Sequence, residues 1–490
     1  MIERAPLAWK PVGAVSAAAA VALLLTITRY DYHRDELYFR MVGAHPKWGY
    51  VDQPPFVPLL MRLCIDVFGD TVWAIRIPGL FFIAAAAILL ACIAREAGGS
   101  ALAQTLAASG VLTTFPLTAN HITLTAGPDL VMWLLVILCL MRALLRDRPR
   151  YWLLAGLLTG LALYNKHLVI LLLLTVLAGL LFAGPRKVLR SPWLWAGVAI
   201  ALVVGLPNLL YQINNDFPQV HMAQALEKNK GADARITLIP LQLIWLGPLY
   251  VPVWYRGIVA LLRDPALRPV RAFGLAYPLM IVLLFVIAGQ PYYSFGLLAA
   301  LFAVGTVPVA RWLTTDRRRW VLGVAVALNV GLALVTSLPV LPVDVIGKTP
   351  IPAINQGLSD EIGWPRYVRQ VADVYAALPA ADKPRTVLLT GNYGEAGSLD
   401  RYGRGYGLPA VYSGQNELWY LGPPPESATV AVWVSQGDPS RSPAFGSCVE
   451  KARLDNGYGV DNEEQTARVF VCRDRTAPWV ELWPAFQHFD

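Results

Sequence analysis

Charge is what this chain has least of. Only 15% of its 490 residues are Asp, Glu, Lys or Arg, against roughly 25% in a soluble domain. Hydrophobic residues make up 56%, and the mean hydropathy is +0.48. So few charges cannot clothe a soluble surface, which excludes an ordinary soluble enzyme and implies a polytopic α-helical membrane protein. Cysteine is sparse too, at five residues, and histidine at six. No Cys-x-x-Cys pair and no His-Glu-x-x-His occurs, so a dedicated zinc site has no support. Without a Walker lysine loop, nucleoside-triphosphate hydrolysis has none either. Gly391-Asn392-Tyr393-Gly394-Glu395-Ala396-Gly397 follows a strand-like run but lacks the G-x-G-x-x-G spacing of a dinucleotide site. Gly-Ser pairs occur outside the nucleophile-elbow pattern of serine hydrolases. The net charge of +8 is not a nucleic-acid footprint, because the arginines fall in short clusters between apolar runs, where they act as topology signals.

What is present is a series of apolar runs, near 11–28, 76–94, 101–117, 124–145, 151–165, 167–183, 193–212, 237–262, 271–288, 292–312 and 320–338. Crossing ~30 Å of hydrocarbon takes ~20 residues, so these predict about 11 transmembrane helices. Alternate connections collect the basic residues, among them Arg95, Arg142 and Arg146, Arg186 to Arg190, Arg256 to Arg271 and Arg317 to Arg319. The positive-inside rule makes those loops cytoplasmic. The first run has a basic start and no small-residue cleavage site, and is expected to be retained. The N-terminus is then cytoplasmic, and an odd span count leaves the C-terminus outside. Beyond Ser337 the apolar runs shorten to strand length, as in Thr386–Thr390, Val430–Val434 and Val469–Val471, with a helical stretch from Trp364 to Leu378 before them. The expected division is a transmembrane domain at 1–340 and an extracytoplasmic α/β domain at 341–490. An outside location makes a Cys448–Cys472 disulfide compatible with the compartment.

The first connection holds Arg29-Tyr30-Asp31-Tyr32-His33-Arg34-Asp35-Glu36, then Trp48-Gly49-Tyr50-Val51-Asp52-Gln53-Pro54-Pro55. Acidic side chains at a membrane boundary are costly unless they face water, a partner or a substrate. Asp129 stands at the outer start of a run otherwise written in Leu, Val, Ile, Met and Trp, and an acid at that depth is a functional hypothesis by default. The topology gathers both with Asn165-Lys166-His167 and Gln290-Pro291-Tyr292-Tyr293 on one extracytoplasmic face. His33, His45, His121 and His167 lie on that side as well, but interfacial histidines hydrogen-bond to headgroups more often than they ligate, and none is assigned.

Asp35-Glu36, Trp48 to Pro55 and Leu124-Thr125-Ala126-Gly127-Pro128-Asp129 resemble the marks of the polyprenyl-phosphate-dependent type C glycosyltransferases, the protein mannosyltransferases and lipid A aminoarabinose transferases (glycosyltransferase family 39). Tyr164-Asn165-Lys166-His167, Ser191-Pro192-Trp193, Leu206-Pro207-Asn208 and Asn392 to Gly397 are similar to bacterial members. The resemblance implies an inverting transfer of a sugar from a polyprenyl-phosphate lipid donor to an acceptor hydroxyl on the extracytoplasmic face. An acceptor hydroxyl becomes a good nucleophile when a positioned base takes its proton. The match implies Asp35 for that role, with Asp129 in the catalytic site and Glu36 in support. Departing phosphate oxygens need positive charge nearby: Lys166 first, then Arg34 or Arg76. Tyr292 and Tyr293 fall near the donor, and Trp48 is placed to stack on a sugar. Asp52 matches a position where a divalent cation is possible, without one being required. The acceptor stays open between protein, lipid and cell-envelope glycan, and the tail is a candidate for selecting it. A lipid or sugar transporter or flippase is the alternative, disfavoured by the acidic first loop, the large tail and the lack of a two-fold repeat of spans. A non-catalytic scaffold is a third reading.

Overall fold

The structure is a computed structural model that describes residues 3–439 and 442–490. The helices that matter here are α1 (Trp9–Thr26), α2 (Arg34–Gly43), α3 (Val72–Glu96), α4 (Ala126–Leu145), α5 (Pro192–Asn214), α6 (Phe295–Trp312), α7 (Asp316–Ser337), α8 (Trp364–Ala376) and α9 (Tyr393–Tyr402). The chain divides into two compact units. One holds the described residues up to Ile27 together with Gln53–Phe56 and Arg76–Leu338; the other holds Thr28–Asp52, Val57–Ile75 and Pro339–Asp490.

In the first unit the apolar runs become helices, but not all become continuous spans. Among the described residues six helices are long and apolar enough to cross a membrane: α1, α3, α4, α5, α6 with the turn that begins it at Pro291, and α7. The eleven spans expected from hydropathy are therefore not confirmed. The run at 101–117 is interrupted by a 3₁₀ turn at Ser109–Val111 before a helix resumes at Thr114–His121. The run at 237–262 lies on two helices, Pro218–Ile244 and Pro248–Arg263, bent by 73°. Gly247 makes that bend, with φ +83° and the Asn329 side chain where a Cβ would be; Asn329 Nδ2 donates to the Leu246 carbonyl at 2.8 Å. The run at 151–165 gives only a 13-residue helix.

At the basic end of this unit, Glu96 closes α3 and is wholly buried. It accepts from Arg142 Nε at 2.9 Å, Arg146 Nε at 3.0 Å and Arg4 at 3.2 Å. One carboxylate thus ties the N-terminal segment, α3 and α4 together where the sequence placed a cytoplasmic arginine cluster.

The second unit is built on a five-stranded sheet, β1 (Thr386–Thr390), β2 (Val411–Ser413), β3 (Val430–Ser435), β4 (Phe445–Arg453) and β5 (Arg468–Arg475), in the order β2-β1-β3-β5-β4. The β1 strand is parallel to β2 and β3, and β5 is antiparallel to β3 and β4. All five residues of β1 are buried, which is why its apolar run is unbroken. Val387, Leu389, Ala431, Phe470 and Trp479 form the core on one face. Cys448 and Cys472 face each other in the β4–β5 register and are disulfide-bonded.

The α2 and α9 helices meet in this unit at Gly397. A Cβ there would lie 2.7 Å from the carbonyl carbon and from the Cβ of Leu37, so only glycine lets the two helices approach this closely. Gly394 does the same beside Arg34 and Trp364, with contacts of 3.1 and 3.0 Å.

Candidate active site

The α2 helix begins with a capping box. His33 accepts from the Asp35 amide through Nδ1 at 3.1 Å, and the Glu36 carboxylate accepts from the His33 amide at 2.8 Å. Glu36, expected to support the substrate site, is wholly buried and closes the capping box at the helix start. Asp35, one residue earlier, accepts a hydrogen bond through Oδ1 from the Tyr393 hydroxyl at 2.8 Å. Arg34, expected as a phosphate contact, is buried, forms an ion pair with Glu463 and lies over the Tyr393 ring, 4.9 Å from its centroid. Its charge is thus directed at the second unit's own carboxylates and aromatic ring. Trp48 is 62% exposed, as a sugar-stacking side chain needs to be.

Asp52 is half-buried and accepts from the Tyr38 hydroxyl at 2.8 Å. That same hydroxyl oxygen accepts from the Glu417 amide at 3.2 Å, and Glu417 in turn accepts from the Val51 amide and pairs with Lys47. Burial pushes Asp52 up to about 7, the Glu417 and Asp35 carboxylates add to the rise, and the bond from Tyr38 opposes it. A carboxylate poised near neutrality can hold or release a proton. Among the described residues there is no group of three or more His, Cys, Asp or Glu side chains that could hold a metal ion.

In the first unit, Asp129 stands in the first turn of α4, and its Oδ1 is buried with no hydrogen-bond partner. An unpaired buried carboxylate oxygen costs roughly 1–3 kcal/mol or more, and in a native fold it calls for an explanation such as a ligand. Lys166 is the cation whose charge acts on it. The Lys166 ammonium donates to the Tyr292 hydroxyl at 2.9 Å and lies 4.7 and 5.4 Å from the ring centroids of Tyr292 and Tyr293. Four of the sequence-predicted residues thus form one cluster. Its frame comes from the neighbouring motif residues: Asn165 Nδ2 donates to the Thr125 carbonyl at 3.0 Å, just before α4, and His167 bonds Asn208 Oδ1 at 2.8 Å. Arg76 is the remaining candidate for the phosphate. It is buried, donates to the Ile27 carbonyl at 3.1 Å and lies 3.4 Å from His121 Nε2.

Two participants escaped the sequence reading. Tyr38 and Tyr393 are uncharged and carry no metal or nucleophile pattern, yet Tyr38 donates to Asp52 and Tyr393 to Asp35. For Tyr393 a signal existed, since it lies in the Asn392–Gly397 segment already noted for its resemblance to bacterial glycosyltransferases.

Comparison with known proteins agrees with that resemblance. Residues 52–211 match the family model of the dolichyl-phosphate-mannose-protein mannosyltransferases. The crystal structure of ArnT from Cupriavidus metallidurans bound to undecaprenyl phosphate superimposes with a TM-score of 0.60 at 17% identity, covering 95% of this chain and 98% of that one. The apo state of the same protein gives 0.59 at 16% identity, covering 94% and 97%. A search of curated proteins found no match. The chain thus resembles the mannosyltransferase family over residues 52–211, and its fold is similar to that of ArnT.

Proposed function

We propose that this chain is an inverting glycosyltransferase of the membrane, moving a sugar from a polyprenyl-phosphate donor to an acceptor hydroxyl on the extracytoplasmic face. The observation that carries the reading is Asp35: a carboxylate in the first turn of α2 that accepts from a tyrosine hydroxyl, in a chain with a fold similar to that of a protein crystallised with undecaprenyl phosphate. In this reading the acceptor oxygen attacks the anomeric carbon as the bond to phosphate breaks, Asp35 takes the hydroxyl proton, and the sugar inverts. Transition-state charge gathers on the departing phosphate, where an ammonium supplies electrostatic stabilisation. Lys166, set by Tyr292 and Tyr293, supplies it. Asp129, with its unpaired oxygen, orients a sugar or acceptor hydroxyl. The N-terminus is cytoplasmic and the sheet-bearing tail extracytoplasmic, in keeping with the arginines around Glu96. The identity of the sugar, hexose or pentose, is set by the donor the enzyme accepts.

The test is transfer of radiolabelled sugar from a panel of polyprenyl-phosphate sugars by the purified protein in lipid, wild type against Asp35→Asn. Product from wild type alone supports the reading. Equal product from both removes Asp35 as the base, and labelled lipid crossing the bilayer without product favours a flippase.

A further inference from the structure

Tyr393 is joined to the candidate base from 358 residues away in sequence, and the segment that carries it is built to hold it still. Asn392 and Glu395 form a reciprocal capping box at the start of α9. The Glu395 carboxylate accepts from the Gly391 and Asn392 amides at 2.9 and 3.2 Å, and the Tyr393 amide donates to Gln415 Oε1 at 2.7 Å. The ring packs 4.8 Å from that of Tyr38 and lies under the Arg34 guanidinium. Gly394 and Gly397 leave no side chain between α9 and α2. The Asn-Tyr-Gly-Glu-Ala-Gly order is thus accounted for residue by residue: cap, hydroxyl donor, close contact, reciprocal cap, buried alanine, close contact.

We propose that Tyr393 is a positioning residue for Asp35, its hydroxyl holding one carboxylate oxygen so that the other is aimed at the acceptor proton. This rests on the reading of Asp35 as the base. Burial, and then the adjacent Asp35 carboxylate, push the Tyr393 phenol well above the ordinary tyrosine range, so it stays a donor throughout the working pH range. The charged and titratable groups that act together with Asp35 are Arg34 on α2, Asp52 in the following loop, Asp360 ahead of α8, and Tyr393 on α9. Tyr393 is the one among them that donates a hydrogen bond to its carboxylate among the described contacts.

The experiment is a comparison of wild type, Y393F and D35N as full-length protein in lipid, with donor and acceptor kinetics across pH and an unfolding midpoint for each. Y393F keeps the ring and loses only the hydroxyl. The expected result is a kcat lower by roughly ten- to a hundredfold, the cost of a misaligned reacting group, with donor KM within about twofold of wild type. A merely structural lesion would lower the unfolding midpoint and the active fraction together, whereas lost aim lowers kcat with the midpoint and the donor KM held. Wild-type kcat in Y393F, with D35N inactive, would overturn the positioning role alone. An active D35N would instead overturn the reading of Asp35 beneath it.

Discussion

Gly397→Ala tests whether the contact between α2 and α9 sets catalytic geometry or merely fills space. The new Cβ would stand 2.7 Å from Leu37 C and Cβ and 2.8 Å from its carbonyl oxygen, whereas ordinary contact begins at 3.4 Å. The obstructing atoms are mostly backbone, so no rotamer change relieves the clash, and one helix must retreat by about 0.7 Å. Overpacking of this kind costs typically 1–3 kcal/mol, offset by about 1 kcal/mol because alanine favours the helix over glycine. The expected net loss of stability is therefore small, about 0–2 kcal/mol. The functional loss should be larger: adding the same 0.7 Å to the 2.8 Å between Tyr393 and Asp35 brings it to about 3.5 Å, where a hydrogen bond is all but lost. A displacement near 1 Å can cost as much as a hundredfold in rate. The assay is sugar transfer together with the unfolding midpoint of the full-length protein in lipid. Gly405→Ala serves as control, since a Cβ there meets nothing within 4 Å. Wild-type turnover in Gly397→Ala, or a rate and midpoint that fall in strict proportion, would refute a geometric role for this contact.

Three further outcomes follow from other parts of the fold. Glu96→Ala leaves Arg142 and Arg146 without their shared acceptor; breaking a buried pair from one side costs about 3–5 kcal/mol, to be read as a lower unfolding midpoint and reduced yield, and an unchanged midpoint would show the arginines finding water instead. Reducing Cys448–Cys472, which closes a separation of 24 residues, should lower stability by about 3 kcal/mol in the chain-entropy account, visible as a midpoint drop on adding reductant that Cys448→Ala abolishes. Glu395 is raised by burial, and secondarily by the Glu464 carboxylate, to about 8, above an unfolded value of about 4.3. The fold therefore favours its protonated form, so the stability it contributes is complete below about pH 4.3 and is lost as pH rises through about 8. The midpoint of wild type should decline across pH 5 to 9 more steeply than that of Glu395→Gln, and parallel profiles would count against the buried acid.

The long apolar helices were legible because a run of about 20 apolar residues has few other fates. Their continuity was not, because hydropathy does not register backbone direction: the 3₁₀ turn at Ser109–Val111 and the bend at Gly247 sit within apolar stretches. In the tail, β1, β3 and the middle of β5 announced themselves through buried β-branched and apolar residues, whereas β4 is largely exposed and β2 has only three residues. The same asymmetry runs through the site. Lys166, Tyr292 and Tyr293 could be named from the expected topology, and the structure brings them together. Glu36, Arg34 and Arg76 were equally conspicuous as charges near the boundary, and in space they meet a helix cap, a carboxylate on the tail and a backbone carbonyl. A sequence shows that a charge is present and costly; the partner that offsets the cost lies at a distance in the chain that no local pattern reports.

That distance changes what a truncation can reveal. A role for the tail in choosing the acceptor suggests deleting residues 345–490 and asking whether acceptor preference changes. In the structure, however, Thr28–Asp52 and the tail make up a single compact unit. Deletion would take away Tyr393 from Asp35, Glu417 from Lys47 and Glu463 from Arg34, and would leave the fully buried Tyr38 side chain exposed. Loss of transfer in such a truncation would report the collapse of the first loop, whatever the tail does for the acceptor. Point substitutions separate the two. A change at exposed Trp48, such as Trp48→Ala, leaves the contacts of Asp35 intact, and is expected to raise the KM of one substrate while kcat stays put. Tyr393→Phe should do the reverse. If both variants altered kcat and KM alike, recognition and proton transfer could not be assigned to different parts of this unit, and the tail would have to be treated as a single element of the catalytic machinery.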